Sequence, residues 1–265
     1  VQMHVNPRDQ HVLRPISPYG LHPDEITLAE VLKERGYVTT IIGKWHLQSQ
    51  PTGFDHHEVM PGQGRYYDPV LITDGKQVVH KGYNTDVVTE RSIHWLENRD
   101  SDKPFVLMCQ VKATHGPFQP ALRHLGELDN IIVPEPPNFF DDFSGRSSSP
   151  AKHKTSIAAH MPKSNLSLEY RGNSMTPETY KSHIDPPNEA FHKAKLSGKE
   201  LAKWRYQRFI KNFLLTSKAI DENVGRLLEF LDQNNMAENT IVVYASDQGF
   251  MLGEHGWYDK RWMYE

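Results

Sequence analysis

Lysine and histidine come as close pairs at two places in this sequence: Lys44 with His46, and Lys112 with His115. A carboxylate and an amide, Asp247 and Gln248, stand side by side near the other end. Each set follows a run rich in β-branched or other apolar residues, at 37–42, 105–111 and 241–244. A lysine ammonium is a compact charge suited to phosphate or sulfate oxygens. A histidine can donate to an oxyanion or protonate a departing alkoxide. The side-chain oxygens of Asp247 and Gln248 suit a hard cation such as Ca2+ or Mg2+. Such an ion would draw charge from the anion in the transition state. No Cys/His spacing of the zinc type occurs, and no Gly-rich loop of the P-loop or dinucleotide type. Together these residue types suit an anionic substrate centre. Singly, each has a plainer reading: a turn with a surface lysine, a loop whose histidine bonds to backbone, an Asp-Gln-Gly turn.

The elements that would position these residues can be read from pattern. Ile26, Leu28, Ala29, Val31 and Leu32 recur at helical spacing; Thr27 or Asp24 can cap that helix and Gly36 can stop it. The β-rich run at 37–42 then leads into Lys44 and His46. Residues 51–82 read as loops with a small hairpin, 70–72 against 77–79. The segment 84–98 predicts a helix with Val87, Val88, Ile93, Trp95 and Leu96 on its apolar face, and the run at 105–111 predicts a second buried strand. Residues 119–198 are dense in Pro, Ser, Asn and Lys, and read as a long irregular excursion from one domain. Leu201, Trp204, Ile210, Phe213, Leu214, Ile220, Val224, Leu227, Leu228 and Leu231 predict a long amphipathic helix. The run at 241–244 predicts a third buried strand, carrying Asp247 at its end. In open α/β sheets, sites form outside the carboxyl ends of strands, so the three polar ends could share one pocket.

The 265 residues are enough for one large domain. A net charge of -3 gives no basic field of the kind that binds nucleic acid. The single cysteine, Cys109, excludes an intrachain disulfide and reads as a small buried hydrophobe. No stretch has the length of a membrane span. Residues 1–10 are polar and lack an initiator Met, and 261–265 bring no helix-ending Gly or Pro. The chain is therefore expected to be incomplete at both ends.

The order of the motifs adds what the single motifs lack. Gly43-Lys44-Trp45-His46-Leu47, Thr114-His115-Gly116-Pro117-Phe118, and Ser246-Asp247-Gln248-Gly249 followed by Gly253-Glu254-His255-Gly256 and Lys260 resemble the type I sulfatases of the alkaline-phosphatase-like superfamily. Pro51-Thr52-Gly53-Phe54-Asp55, Pro61-Gly62-Gln63-Gly64 and Asp141-Asp142-Phe143-Ser144-Gly145-Arg146 resemble the bacterial mucin-desulfating or N-acetylglucosamine-6-sulfatase-like branch. The resemblance runs over almost the whole chain. It implies an α/β sandwich around a large mixed sheet flanked by helices. It also implies hydrolysis of sulfate esters of a glycan with one bound Ca2+ and a formylglycine nucleophile.

By that resemblance Lys44 and His46 would hold the sulfate and the hydrated aldehyde. His115 and Lys260 would contact sulfate oxygens and the leaving oxygen, and Asp247 and Gln248 would supply Ca2+ ligands. His255 would reach the sugar or the leaving oxygen, with Lys112 a lesser substrate-binding candidate. The sequence departs from the family at several points. Gln48 stands where Gly is commoner, Thr114 where Pro is commoner, and Gln248 in place of Asn. The Cys/Ser-x-Pro-x-Arg motif that yields formylglycine is absent, and Ser148-Ser149-Pro150-Ala151-Lys152 ends in the wrong residue. The nucleophile and a second pair of Asp ligands are expected to precede Val1, so these 265 residues alone are expected to be inactive and to bind Ca2+ weakly. The implied partners are a sulfated carbohydrate or other sulfate ester, with neither nucleic acid nor membrane, and the implied location is periplasmic or secreted. Two rival readings share the cationic residues: a phosphonate or phosphodiester hydrolase of the same superfamily, and a non-catalytic module that binds sulfated glycans.

Overall fold

The protein is represented by a computed structural model that describes residues 20–22, 24–47, 49–170 and 175–261. Most of the expected irregular N-terminal stretch, Gln48, Trp262 and Tyr264 lie outside the described residues. The chain divides into two compact units: Val1–Ala113 with Ile220–Asn235, and Thr114–Ala219 with Met236–Glu265.

The first unit opens with helix α1, Leu28–Lys33, started by a capping box in which Thr27 and Glu30 satisfy each other's backbone N–H. Gly36, at φ +85°, turns the chain into strand β1, Val38–Lys44. The next strands are β2, His56–Met60, then the hairpin of β3, Val70–Thr73, and β4, Lys76–Val79. Helix α2, Asn84–Asn98, and strand β5, Phe105–Gln110, complete the sheet unit. The strand order is β4-β3-β2-β1-β5; β1 runs parallel to both β2 and β5, and the hairpin strands are antiparallel. This is the mixed α/β sheet that the sequence implied. β1 is its centre, with residues 39–43 all buried, as expected of a parallel strand covered on both faces. Ile42, Met60, Leu71, Val87 and Val88 form the core between sheet and helix. Strand β5 departs from expectation: it lies at the sheet edge and Phe105 through Cys109 are only half-buried.

In the second unit, the described residues of 119–198 carry three short α-helices between loops: α3, Ser148–Lys152, α4, Pro177–His183, and α5, Asp185–Ala194. Phe118, Phe139, Ile157, Leu166, Phe209 and Tyr258 build the core here. The long amphipathic helix is present as α6, Gly198–Gln233. Its residues to Ala219 belong to the second unit, and those from Ile220 to the first. There Asn223 Nδ2 donates to Asp86 Oδ1 at 2.7 Å. A small hairpin of β6, Met251–Leu252, and β7, Tyr258–Asp259, closes the unit.

The third buried strand is not formed. Residues 241–244 form no strand. Ile241 is 93% and Val243 80% exposed. Among the described residues this run has no ladder partner. A strand exists only when a neighbour takes its backbone hydrogen bonds; a β-branched run supplies propensity and no more.

Candidate active site

The first unit gathers three of the candidate residues. Gly43 has φ +114°, and a Cβ there would fall 1.9 Å from the Gln110 carbonyl oxygen. Only glycine lets β1 approach β5 this closely while turning its end. Lys44 follows at the strand terminus. Trp45 anchors the turn by donating Nε1–H to the Ser49 carbonyl at 2.8 Å. His46 is then held at φ +59°, the left-handed region that histidine tolerates better than most residues.

Lys112 lies just beyond β5 and is only 5% exposed. Its Nζ donates to the Gln63 carbonyl at 3.1 Å and lies 5.1 Å above the Tyr66 ring. No described carboxylate pairs with it. Burial, with Lys44 nearby, pulls its ammonium down to a pKa of about 8. A buried cation beside another cation, with no carboxylate partner among the described residues, is costly. It is well placed to meet an anionic ligand.

Gln63 connects the cluster. Its side-chain amide nitrogen lies 3.0 Å from His46 Nε2 and 3.3 Å from Nδ1. The loop that carries it is pinned by Asn84, whose Nδ2 donates to the Arg65 carbonyl at 3.0 Å and whose backbone N–H donates to the Tyr66 carbonyl at 2.7 Å. In the sequence Gln63 stands out only as part of the Pro61-Gly62-Gln63-Gly64 run. Its signal was its place between Gly62 and Gly64, both of which adopt positive φ.

The remaining candidates, His115, Asp247, Gln248, His255 and Lys260, lie in the second unit, each on its own local scaffold. His115 Nδ1–H donates to the Gly116 carbonyl at 2.7 Å, ahead of a cis Gly116–Pro117 bond. Phe118, fully buried, packs against Phe209, Phe213 and Phe250 and ties that turn to the core. Lys260 follows β7, with its backbone N–H bonded to Asp259 Oδ1 at 2.6 Å.

His255 is the most tightly held of these. It sits at φ +54° between Gly253 and Gly256. A Cβ on Gly253 would meet the Tyr206 ring at 2.7 Å, and one on Gly256 the Phe139 carbonyl at 2.7 Å. Its Nδ1 bonds Asp141 Oδ2 at 2.5 Å, and Asn138 Nδ2 lies 3.2 Å from Nε2. Asp141 is held down to a pKa of about 2 by the Phe143 N–H, then His255 and Arg146. It therefore stays a carboxylate at any ordinary pH and orients the ring. Asn138, Phe140, Asp141, Arg146 and Lys203 line a cavity of about 480 Å³ beside it. Asn138 carries no sequence signal, while Asp141 and Arg146 stand out only as the ends of the Asp141-Asp142-Phe143-Ser144-Gly145-Arg146 run.

Asp247 and Gln248 lie in an exposed bend, where Ser246 Oγ–H donates to the Gln248 carbonyl at 2.8 Å. Their side chains are oxygen donors of the type a hard cation takes, but Ca2+ needs about six to eight oxygens. Among the described residues no group of three or more His, Cys, Asp or Glu side chains gathers for a metal. The pair fits the chemistry of the ion without completing a site.

Comparison with known proteins gives these residues a context. A sulfatase family model matches residues 5–264. The chain is 44% identical over 263 residues to N-acetylglucosamine-6-O-sulfatase of Bacteroides thetaiotaomicron, covering 91% of this chain and 47% of that protein. It is 24% identical over 246 residues to human N-acetylglucosamine-6-sulfatase, covering 87% of this chain and 37% of that one. Among solved structures it is similar to BT4656 in complex with its substrate D-glucosamine-2-N,6-O-disulfate. There the TM-score is 0.87 at 43% identity, over 93% of this chain and 54% of that one. The chain thus spans about half, or less, of the length of these relatives.

Proposed function

Since this chain belongs to the sulfatase family, we propose that it forms part of an enzyme that hydrolyses sulfate esters of a carbohydrate. A 6-O-sulfated glucosamine is the preferred substrate class. The observation that carries this reading is Lys112: a buried ammonium with no carboxylate partner among the described residues, beside Lys44 and linked through Gln63 to His46. Such a cluster suits a compact oxyanion. The specificity rests on likeness to the Bacteroides N-acetylglucosamine-6-O-sulfatase and to BT4656 with its sulfated glucosamine.

In this reading Lys44 and Lys112 bind sulfate oxygens and offset the charge that grows on them as the ester bond breaks. His46 orients the reacting sulfate by hydrogen bonding. His115 and Lys260 serve the leaving oxygen, and His255, oriented by Asp141, contacts the sugar. Asp247 and Gln248 would contribute two oxygens to a Ca2+ ion, which supplies Lewis-acid withdrawal of charge when bound. A formylglycine of the kind the family uses would supply the nucleophile; the 265 residues contain no Cys/Ser-x-Pro-x-Arg from which to make it. The segment is read as part of a single catalytic domain. A periplasmic or secreted location fits polymeric substrates and an extracellular relative in Caenorhabditis elegans. Among the described residues no helix is long and apolar enough to cross a membrane.

The test is release of inorganic sulfate from N-acetylglucosamine 6-sulfate by an intact enzyme that contains this segment. Matched phosphate and phosphonate esters are run in parallel. Sulfate release with a loss of about a hundredfold or more in kcat/KM for Lys44→Met and Lys112→Met supports the reading. Faster turnover of the phosphorus esters, or wild-type rates in both variants, overturns it.

A further inference from the structure

Two residues of one loop hold the Lys112 ammonium. The Gln63 carbonyl accepts a hydrogen bond from Nζ at 3.1 Å, and Nζ stands over the Tyr66 ring, 5.1 Å from its centroid. A cation within about 6 Å of an aromatic centroid is drawn to the negative face of the ring. We propose that Tyr66 is a positioning residue: its ring face keeps the buried Lys112 side chain charged and in place for an anionic ligand. The proposal rests on the anion-site reading of Lys44 and Lys112, and deepens it.

The ring is fixed from several sides. Tyr66 is 1% exposed, and its backbone carbonyl accepts from the Asn84 N–H at 2.7 Å. Its ring stacks on Tyr83, with 5.9 Å between centroids and 22° between planes. Tyr67 meets Tyr83 edge-on at 5.4 Å. Tyr83 directly precedes α2, so the plane of the Tyr66 ring is tied to the helix as well as to its own loop. Burial pushes the Tyr66 phenol well above its ordinary range, so the ring stays neutral. The charged group that acts on Lys112 is Lys44, at the end of β1, and it works against a second positive charge.

A neutral ring does here what a carboxylate could not. A carboxylate would hold the ammonium more strongly, but it would cancel the charge and compete with an incoming anion. The ring face offsets part of the cost of burial and of Lys44 while adding no net negative charge. The positive charge of Lys112 therefore remains for the ligand.

The experiment uses an intact enzyme that contains this segment, labelled with 13C at lysine Cε. The Lys112 signal is assigned by its loss in Lys112→Arg. Position 66 carries Tyr, Phe, mono-, di- or trifluorophenylalanine, or Leu. Fluorine drains negative charge from the ring face at nearly constant shape, so a ring that only fills space gives one value throughout. The Lys112 titration is read first, without ligand. Tyr66→Phe should keep the wild-type midpoint of about 8. The midpoint should fall stepwise with each added fluorine, and by about half to one pH unit in Tyr66→Leu. Inorganic sulfate is then titrated at pH 8, where the wild type is half charged. Its affinity should fall in the same order, reaching a loss of about two- to fivefold in Tyr66→Leu, as the charged fraction does. A midpoint indifferent to fluorination overturns the proposal. So does a drop in Tyr66→Phe as large as in Tyr66→Leu, which would assign the effect to the hydroxyl. The fluorinated rings keep the buried volume, so they decide the question even if Tyr66→Leu does not fold. If the wild type binds no sulfate, the anion-site reading fails, and the titrations still decide the role of the ring.

Discussion

Replacing Lys112 by Met should make the protein more stable and weaken its hold on anions. The folded-state pKa falls from 10.5 to about 8, chiefly by burial and secondly by Lys44. That gap is worth about 3 kcal/mol against the charged folded state. The sign follows from proton counts. Between pH 8 and 10.5 the unfolded chain binds more protons than the folded one, so stability rises with pH across that window. Below it the whole cost is present. Methionine fills a similar volume, but the substitution forfeits the bond from Nζ to the Gln63 carbonyl, about 1 kcal/mol. The expected net gain at pH 7 is about 2 kcal/mol, or about 4–8 °C in Tm for a chain of this size. Thermal unfolding followed by near-UV circular dichroism, at pH 7 and again at pH 10, measures it. The variant's advantage should shrink at the higher pH, and titration with sulfate should raise the Tm of the wild type more than that of the variant. A variant that is less stable at pH 7, or an advantage independent of pH, would show that Lys112 is not a buried, uncompensated cation.

Three further outcomes follow from local geometry. Gly43→Ala should destabilise by at least about 2 kcal/mol in urea unfolding, since the new Cβ meets the Gln110 carbonyl at 1.9 Å and φ is +114°. Glu58 is buried, which alone would raise its pKa, but His56 and Arg91 bring it to about 2 from 4.5. Its contribution, about 3 kcal/mol, is present above pH 4.5 and is lost as pH falls toward 2. Acid unfolding of Glu58→Gln should accordingly be flatter across that window, and an identical slope would refute the pairing. Val242→Lys should suppress aggregation, read by light scattering on gentle heating. It should change unfolding free energy by less than about 0.5 kcal/mol, because the apolar run at 241–244 is exposed.

Much of the scaffold was legible because local signals were redundant. Thr27, one of two candidate caps, starts α1, the runs at 70–72 and 77–79 marked a hairpin, and the apolar spacing from Leu201 to Leu231 marked a long helix; all three are present. The run at 241–244 carried as strong a strand signal and formed none. Helix signals are satisfied within the segment, whereas a strand is completed by another segment, and no sequence window contains that partner. The same asymmetry governs the site. Lys44, His46 and Lys112 could be nominated by type and position after a strand. Gln63 could not, because it acts through contacts with His46 and Lys112, 17 and 49 positions away. Asn138 was equally hidden, since its contact with His255 spans 117 positions.

The pairing register explains why two lysines meet at all. β1 and β5 are adjacent and parallel, and Gly43 stands opposite Gln110. Their carboxyl ends therefore lie at the same edge of the sheet. Lys44 is one residue past that pair on its strand, and Lys112 two residues past it on the other. Adjacent parallel strands thus bring both ammonium groups to one place without any attraction between them. Each raises the cost of the other, and burial adds to it. Surface lysines would relieve such repulsion by turning into water; Lys112 cannot, because its backbone N–H faces Asn84 Oδ1 and its Nζ is held by Gln63. Strain that the fold keeps in place and could easily discard belongs to what binds there. An oxyanion with several acceptor oxygens can take a bond from each lysine at once and brings the negative charge that a water molecule lacks.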